Sequence, residues 1–330
     1  MNEFDLIAQY LAPLATGKEA LGLIDDAAIL QVLEGQELVI TKDAIVAGVH
    51  FIGDESADLI ARKLLRVNLS DMAAMGATPY GYFLALMLPE STDEAWVAAF
   101  AKGLRMDQET YGIALLGGDT TRTKGVLSLS ATMLGYVPKG QALKRSGAKV
   151  GDDIYVSGTM GDGALGLKVA SGQWPVVSEG HRSQATDHTF LQRYQLPEPR
   201  VALGEKLRGI ATSCMDISDG LVQDLGHICD CSQAGTVIYW QDIPLSDAAK
   251  ALLAREEQIQ SSVLTGGDDY ELLFTASPQA AAKLAAIAKE TGLTLSRIGA
   301  VTEGTHVQVL DAAGKEIALS RKGYSHFSSS

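Results

Sequence analysis

The chain has 330 residues, 46% of them hydrophobic, and a formal net charge of −13 at pH 7, which suits two acidic domains of ordinary size. The charge argues against a nucleic-acid partner and against an anionic membrane surface, because both bind clustered Lys and Arg. A polyanionic small molecule would need divalent cations here, since like charges about 4 Å apart repel by about 4 kcal/mol at an effective dielectric of about 20.

Helices and strands alternate in the first half of the chain. A short helix is predicted at about residues 4–13, and ELVITKDAIVAGVHF predicts a β-strand that leads into a loop. A long amphipathic helix over ADLIARKLLRVNLSDMAAMG ends at Gly76. After it come the strand YFLALML, the helix DEAWVAAFAKGLRMDQETYG, a strand ending at GGDTT and the strand VLSLSATMLGYV.

A domain boundary is predicted in PKGQALKRSGAKVGDD, which lacks hydrophobic periodicity, so the domains are expected at residues 1–140 and 150–330. Beyond it come the strand DIYVSG, the helix GDGALGLKVA, a polar stretch and the helix RVALGEKLRGI. MDISDGL then leads into a helix through Cys231. The alternation continues with the strand TVIYW, the helix SDAAKALLAREE, the strand ELLFTA and the helix QAAAKLAAIAKETG. An antiparallel pair of strands is expected at the end. Both halves are therefore α+β.

Aspartates recur beside glycine, serine or threonine in IDDAA, TKDAI, NLSDMAAMG, GGDTT, MDISDGL and TGGDDYEL. Asp71 lies between Leu69 and Met72, and carboxylates with apolar neighbours need a cation or hydrogen bonds to stay ionised. Oxygen ligands suit Mg²⁺, which bridges carboxylates to substrate phosphates. The segments therefore predict a distributed Mg²⁺ site and phosphate chemistry.

Each of these motifs also has a purely structural interpretation. Asp119 of GGDTT is expected at the carboxyl end of a buried strand, where it would meet a ligand or merely cap a turn. In MDISDGL, a helix that begins at Asp219 would offer free N–H groups to a phosphate beside Ser218; alternatively, the motif is an ordinary N-cap. Asp71 could equally cap a second short helix.

Conventional nucleotide signatures are absent, with no G-x-x-x-x-G-K-[ST] and no strand-linked G-x-G-x-x-G. Lys144, Arg145 and Lys149 of LKRSGAK could neutralise phosphate charge or form a solvated linker. His50 could bind a phosphate or be a packed rim residue. Tyr324 could stack on a planar ligand or pack the chain end.

Two glycine-rich segments carry weaker signals. Gly-Gly-Asp occurs at residues 117–119 and 266–268, each after a short apolar or β-prone run, which hints at an internal duplication. Asp162 of GDGAL is interpreted as a turn residue.

Cysteine usage and the N-terminus indicate a cytoplasmic protein. Cys214, Cys229 and Cys231 lack further Cys or His at zinc-ligand spacing, which favours reduced thiols. The sequence MNEFDLIAQYLAPL lacks a basic region followed by an apolar core, and no apolar run approaches membrane-spanning length. We therefore expect no membrane partner.

Taken together, the motifs resemble the thiamine-monophosphate kinase family, in the superfamily of aminoimidazole ribonucleotide synthetase and selenophosphate synthetase. The resemblance covers almost the whole chain. It rests on seven segments in this order: TKDAIVAGVHF, NLSDMAAMGATP, GGDTT, LKRSGAKVGD, DISDGL, GGDDYELLF and GYSHF. It implies an N-terminal domain that binds ATP and Mg²⁺ and forms a β-barrel across a homodimer. It also implies a C-terminal α/β sandwich domain that closes over nucleotide and substrate.

The resemblance further implies ATP-dependent phosphorylation of thiamine monophosphate to thiamine diphosphate, the last step of thiamine diphosphate biosynthesis. The implied ligands of several Mg²⁺ ions are Asp26, Thr41, Asp43, Asp71, Asp119, Asp216 and Asp219. Gly118, Asp119, Arg145 and Ser218 would contact ATP, with Arg145 and Asp119 acting in catalysis. His50, Asp268 and Tyr324 would contact thiamine monophosphate. No Ser, His or Cys is arranged as an activated nucleophile, so direct in-line transfer is expected.

The chain departs from the family pattern at three places. Lys42 stands where the family commonly has threonine, Leu23 and Ile24 interrupt the usual G-[IV]-G-D-D, and Asp268 stands where some members have glutamate. Two alternatives stay open: another activity of the superfamily, and a nucleotide-binding regulator without transfer. Selenide activation calls for a reactive cysteine near the N-terminus, and the first cysteine is Cys214.

Overall fold

The computed structural model describes residues 3–24, 27–173, 184–256, 258–319, 321 and 323–324. The chain divides into two compact units. Unit 1 comprises Met1–Met72 and Ala77–Gly140, and unit 2 comprises Ala73–Gly76 and Gln141–Ser330. Within the described residues, helices both long enough and apolar enough to span a membrane are absent.

Unit 1 is built on a mixed sheet of four strands in the order β1-β4-β2-β3. Strand β4 pairs antiparallel with both β1 and β2, whereas β2 and β3 are parallel. The strands are β1 (Gln36–Val46), β2 (Thr78–Pro89), β3 (Ala114–Thr123) and β4 (Ser128–Pro138). The helices are α1 (Glu3–Leu6), α2 (Ala57–Ala74) and α3 (Glu94–Tyr111). The strands and the two long helices thus lie where the sequence pattern predicts them, whereas the helix predicted at about residues 4–13 is α-helical only over Glu3–Leu6 and continues as a π-helix over Ile7–Leu11.

Local sequence sets the ends of α3. The carboxylate of Asp93 caps the helix by accepting a hydrogen bond from the Trp96 N–H at 2.8 Å, and Gly112 ends it in the left-handed region at φ 66°. A buried ion pair joins α3 to α2, because the Asp107 carboxylate accepts bonds from the guanidinium groups of Arg62 and Arg66. This contact fixes the register of the two helices.

The two faces of β1 have different environments. Val39 and Ile45 are buried on one face, where the hydroxyl of Thr41 also reaches Asp71 of α2. Ile40 lies on the opposite face and is 60% exposed. Successive side chains of a strand alternate between faces. Lys42 therefore lies on the same face as Ile40.

Unit 2 contains a sheet of six strands in the order β10-β7-β9-β5-β8-β6. The strands are β5 (Asp153–Ser157), β6 (Ala211–Asp216), β7 (Gly235–Tyr239), β8 (Leu272–Ala276), β9 (Leu295–Thr302) and β10 (Val307–Leu310). The helices are α4 (Asp162–Ala170), α5 (Gln184–Gln195), α6 (Val201–Leu207), α7 (Leu221–Ser232), α8 (Asp247–Leu253), α9 (Ile259–Thr265) and α10 (Ala281–Thr291). Residues such as Leu225, Ile238 and Val263 form the apolar core beneath α7 and α9.

The predicted closing pair of strands is wrong in its pairing. Strand β7 lies between β9 and β10, pairing antiparallel with β9 and parallel with β10. A Cβ at Gly299 would lie 2.0 Å from the carbonyl oxygen of Val237, so glycine permits this close approach of β9 to β7. The long-range partner therefore replaces the local hairpin.

The suggestion of an internal duplication is also not supported. The first Gly-Gly-Asp lies inside β3, whereas the second follows helix α9 at its C-terminal end. The run that precedes the second motif is helical, so the two tripeptides occupy unrelated positions.

Candidate functional site

A cavity of about 530 Å³ lies against the exposed side of the unit 1 sheet. Strand register brings its polar residues together. Lys42, Thr132, Phe83 and Gly117 form one row across the sheet, and Ala44, Ser130, Ala85 and Asp119 form the next row on the same face. The described lining also includes apolar residues from the N-terminal segment, namely Ile7, Leu11, Ala20, Leu23, Ala27 and Ala28.

The position of Asp119 differs from the prediction. Strand β3 continues through GGDTT to Thr123, so Asp119 lies within the strand rather than at its end. Parallel pairing with β2 extends from Gly81 to Pro89 and keeps the motif extended. Gly118 permits that pairing, because a Cβ there would lie 2.0 Å from the Leu84 carbonyl oxygen. Asp119 is exposed and lines the cavity.

Three of the proposed metal ligands are gathered on the other face of β1. The Thr41 hydroxyl donates a 2.5 Å hydrogen bond to Asp71 Oδ2. The backbone N–H of Asp43 donates to Asn68 Oδ1, and the Asn68 amide in turn donates to the Leu64 carbonyl. These bonds hold α2 against the edge strand β1 and bring Asp71 next to Thr41. Asp26, predicted as a ligand, lies outside the described residues.

His50 lies in the turn after β1. Its Nδ1 accepts a hydrogen bond from the Val46 N–H at 3.1 Å, and its carbonyl accepts one from Lys63 Nζ. Because Nδ1 is an acceptor, the neutral imidazole carries its proton on Nε2. His50 can therefore act as a donor toward an anion through Nε2.

In unit 2, MDISDGL forms a tight turn rather than an open helix terminus. Helix α7 begins at Leu221, and the N–H groups of Ser218, Asp219 and Gly220 all donate to Asp224 Oδ2 at 3.0 to 3.1 Å. For Ser218, Asp219 and Gly220 the prediction of free N–H groups is therefore wrong, because the protein's own carboxylate occupies them. Burial raises the pKa of Asp224 to about 7, although the three N–H bonds favour its charged form.

Two other predicted segments meet this turn. The Asp268 N–H donates to the Ser218 carbonyl at 3.0 Å, and a Cβ at Gly267 would lie 2.1 Å from that same oxygen. The Tyr324 N–H donates to the Asp219 carbonyl at 3.0 Å. Asp216 is buried at the end of β6. Unit 2 thus brings Asp216, Ser218, Asp219, Asp268 and Tyr324 together.

A buried network of carboxyl groups and arginines next to Asp268 in the sequence escaped the sequence analysis. Asp269 accepts hydrogen bonds from the N–H groups of Gly161 and Gly163, and burial raises its pKa to about 8. Glu271 is fully buried and accepts bonds from Arg193, Arg200 and the Ser157 hydroxyl.

This network holds a strained loop, because Asp268 and Tyr270 adopt φ values of 67° and 51°. The acid-rich motif itself was the available signal for Asp269. Nothing in the local sequence pairs Glu271 with two arginines more than 70 residues away.

The remaining sequence candidates lie apart from this cluster or play other roles. Arg145 is exposed, and its carbonyl accepts a bond from Ser232. Asp162 is buried in the first turn of α4, where it accepts bonds from the hydroxyls of Thr159 and Ser246, so it links two helix starts. It is therefore more than a turn residue. Asp224 could have been anticipated from an aspartate in the first turn of a helix.

The donor chemistry of both units fits Mg²⁺. The gathered side chains are carboxylates and hydroxyls, which are the oxygen ligands that Mg²⁺ prefers. Among the described residues, groups of three or more His, Cys, Asp or Glu already arranged around a metal position are absent. Each unit contains part of the predicted set of oxygen ligands.

Comparison with known proteins gives the family. Residues 24–137 match the AIR synthase related protein, N-terminal domain, and residues 149–312 match the AIR synthase related protein, C-terminal domain. The thiamine-monophosphate kinase of Caulobacter vibrioides is 45% identical over 329 residues, covering 98% of this chain and 91% of that protein.

Solved structures agree with this match. The thiamine-monophosphate kinase of Stenotrophomonas maltophilia K279a superposes with a TM-score of 0.83 at 42% identity, covering 94% of this chain and 96% of that one. The structure of AaThiL complexed with AMPPCP and TMP superposes with a TM-score of 0.77 at 28% identity, covering 98% and 97%. The chain has the two-domain fold of these proteins, and it belongs to the thiamine-monophosphate kinase family of AIR synthase related proteins.

Proposed function

We propose that the chain transfers the γ-phosphoryl group of ATP to thiamine monophosphate and so produces thiamine diphosphate. The observation that carries this conclusion is the match to thiamine-monophosphate kinases over 98% of the chain at 45% identity. The structure of the relative AaThiL, complexed with AMPPCP and TMP, supports both proposed ligands, a nucleotide and thiamine monophosphate. The polar clusters of both units contain the residue types that phosphoryl transfer requires.

We propose a direct in-line transfer. The acceptor is a phosphate dianion, which needs no general base at neutral pH, so the protein must chiefly align two anions and neutralise their charge. In unit 1, Gly118 and Asp119 would face ATP from the cavity, and His50 would donate from Nε2 to the acceptor. In unit 2, Ser218 would contact ATP and Asp268 the thiamine moiety. These roles are expectations from the family pattern.

The metal requirement belongs to the same proposal. Bound Mg²⁺ would neutralise the phosphates and hold them in line. Thr41, Asp43 and Asp71 of unit 1 would supply one set of ligands, Asp119 on the opposite face of that sheet would supply a second, and Asp216 and Asp219 of unit 2 a third. Asp26 would join the first set. Arg145 would neutralise the charge that develops on transfer.

Homodimerisation through unit 1 is a further part of the proposal. Its sheet presents an open face on which Ile40 is 60% exposed within a regular strand, and exposed apolar strands are suited to pairing with a second copy. Sedimentation velocity would give a dimer for the natural chain and a monomer for Ile40→Asp. Dimeric Ile40→Asp would contradict the use of this face. The barrel, the roles of residues 1–140 and 150–330 and the cytoplasmic location stay predictions.

A coupled assay of ADP formation tests the activity. Turnover is expected to require both thiamine monophosphate and Mg²⁺, and Asp219→Asn is expected to lower kcat/KM by at least about tenfold. Asp230→Asn, at an exposed position of α7, is the matched control. Nucleotide binding without turnover would contradict the proposed kinase activity. A trapped phosphorylated enzyme would contradict direct transfer.

A further inference from the structure

The segment at residues 321–324, of which the structure describes Arg321, Gly323 and Tyr324, lies against the Asp219 turn of unit 2. Both backbone groups of Tyr324 are bonded there. Its N–H donates to the Asp219 carbonyl at 3.0 Å, and its carbonyl accepts a hydrogen bond from Gln223 Nε2 at 2.8 Å. The Tyr324 side chain is 44% exposed. The backbone of this residue is therefore held in place while its ring keeps an exposed surface.

Gln223, in the first turn of α7, bridges Tyr324 to that turn. Besides its bond to the Tyr324 carbonyl, Gln223 Nε2 donates to Asp219 Oδ2 at 3.2 Å. Both partners are acceptors, so the amide must present its NH₂ group to them, and the two protons of that group suffice for two bonds. One side chain thus joins the Tyr324 carbonyl to the Asp219 carboxylate.

Close packing at Gly323 supports the same contact. A Cβ at Gly323 would lie 2.5 Å from the Gln223 Cβ and 2.7 Å from the Asp219 carbonyl oxygen. A glycine is therefore needed for the segment to come near enough for the hydrogen bonds of Tyr324. Gln223 consequently contacts the segment through its aliphatic stem as well as through its amide.

Holding both backbone groups of Tyr324 limits where its ring can lie. A side chain leaves the backbone in one of a few staggered rotamers, so a fixed backbone restricts the ring to a few positions. A ring that is placed in advance loses little conformational entropy when a ligand stacks on it. The Asp268 N–H is bonded to the Ser218 carbonyl in the same turn. Gln223 therefore helps to fix Tyr324 relative to Asp268.

We propose that Gln223 is a positioning residue for the acceptor, because it holds the Tyr324 ring where that ring stacks on thiamine monophosphate. The inference rests on the proposed function, in which Tyr324 and Asp268 contact the acceptor. Gln223 acts through Tyr324 and does not itself touch the substrate. Loss of its two donors should therefore weaken acceptor binding and leave nucleotide binding unchanged.

Two substitutions break the contact in different ways. Gln223→Met keeps the length of the side chain and removes both donors, so thiamine monophosphate should bind about tenfold more weakly. Gly323→Ala keeps the glutamine but adds a Cβ that pushes the segment away, and it should weaken binding in the same direction. Gln192→Met, at an exposed position of α5, is the matched control and should bind like the natural chain.

A double-mutant cycle with Tyr324→Ala tests whether Gln223 acts through Tyr324. Without the ring, the contact has nothing to position. Gln223→Met should therefore change the affinity for thiamine monophosphate by less than about twofold in the Tyr324→Ala background. A glutamine that merely stabilised the fold would have the same effect in both backgrounds.

Three measurements on the full chain complete the experiment. Calorimetry with AMPPCP and Mg²⁺ present gives the affinity for thiamine monophosphate, hydrogen exchange reports on the peptide that contains Tyr324, and initial rates with ATP give kcat and KM. The proposal predicts that Gln223→Met weakens acceptor binding, raises the KM for thiamine monophosphate at nearly unchanged kcat, and speeds exchange of this peptide. Its affinity for AMPPCP should stay within about twofold of that of the natural chain.

Three results would overturn the proposal. The first is an affinity for thiamine monophosphate in Gln223→Met within about twofold of the natural value. The second is an equal loss of affinity with and without the Tyr324 ring. The third is a fall in kcat at unchanged KM, which would place the role of Gln223 at Asp219 instead.

The outcome is distinguishable from failure of the proposed function. A natural chain that binds thiamine monophosphate but does not phosphorylate it would overturn the kinase activity, and the binding cycle would still decide the role of Gln223. A natural chain that phosphorylates thiamine monophosphate, with Gln223→Met unchanged in binding and KM, would overturn the role of Gln223 alone.

Discussion

Replacing Asp224 by alanine should loosen the turn that carries Asp216, Ser218 and Asp219. The carboxylate is 1% exposed, and its Oδ2 accepts three backbone N–H groups at 3.0 to 3.1 Å. The turn has little freedom to find other partners, because Gly220 holds a φ of 122°.

The magnitude follows from those three bonds. Each buried N–H left without an acceptor costs about 1–3 kcal/mol, and water entering the vacated space recovers part of this. Removing the carboxylate also removes the free-energy cost of burying it, which offsets a further part of the loss. Asp224→Ala should therefore lower the free energy of unfolding by about 3 kcal/mol. Asp224→Asn keeps an oxygen acceptor in place and should lose only about 1 kcal/mol, since a neutral acceptor is weaker than a charged one.

Urea unfolding and hydrogen exchange measure the effect. The peptide containing residues 216–220 should exchange faster in Asp224→Ala, because its amides lose their acceptor. The kcat/KM for thiamine monophosphate should fall by about 10- to 100-fold, as for other residues that orient ligands. Asp230→Ala on the same helix is the control, since Asp230 is exposed. Unchanged exchange of this peptide together with a stability loss below about 0.5 kcal/mol would refute the capping role of Asp224.

Two further predictions concern buried carboxylates. Asp107→Ala leaves the guanidinium groups of Arg62 and Arg66 without their partner and should cost about 3–5 kcal/mol in urea unfolding, whereas Glu109→Ala on the exposed side of α3 should cost less than about 0.5 kcal/mol. Equal losses in these two variants would contradict the buried ion pair. Burial raises the pKa of Asp269 from 3.8 to about 8, so its stabilising contribution is complete below about pH 4 and is lost as the pH rises through 8. The Asp269→Asn variant stays neutral, so its unfolding free energy relative to the natural chain should increase by up to about 1.4 kcal/mol per pH unit between these limits. A difference that is constant with pH would contradict the buried, protonated carboxyl.

Sequence patterns located most helices and strands because their signals are local. The apolar periodicity of ADLIARKLLRVNLSDMAAMG matches α2, and the β-prone run before TKD matches β1. The patterns failed where a distant strand decided the outcome. Strand β7 separates β9 from β10, although the two are joined by a short connection, and GGDTT continues as a strand because β2 pairs with it.

The sequence by itself determined the chemistry of this protein: oxygen-rich segments beside glycine, an acidic chain, and an order of motifs that marks its family. Only the tertiary structure decided which of these groups meet. Asp224 rather than a ligand occupies the amides of Ser218, Asp219 and Gly220, and the segments carrying Asp268 and Tyr324 are bonded to that turn. In unit 1, Lys42 and Asp119 line one cavity from opposite edge strands of the sheet. The physical reason is that residue type and spacing fix local backbone preference, whereas hydrogen-bond partners and strand register depend on residues far apart in the chain.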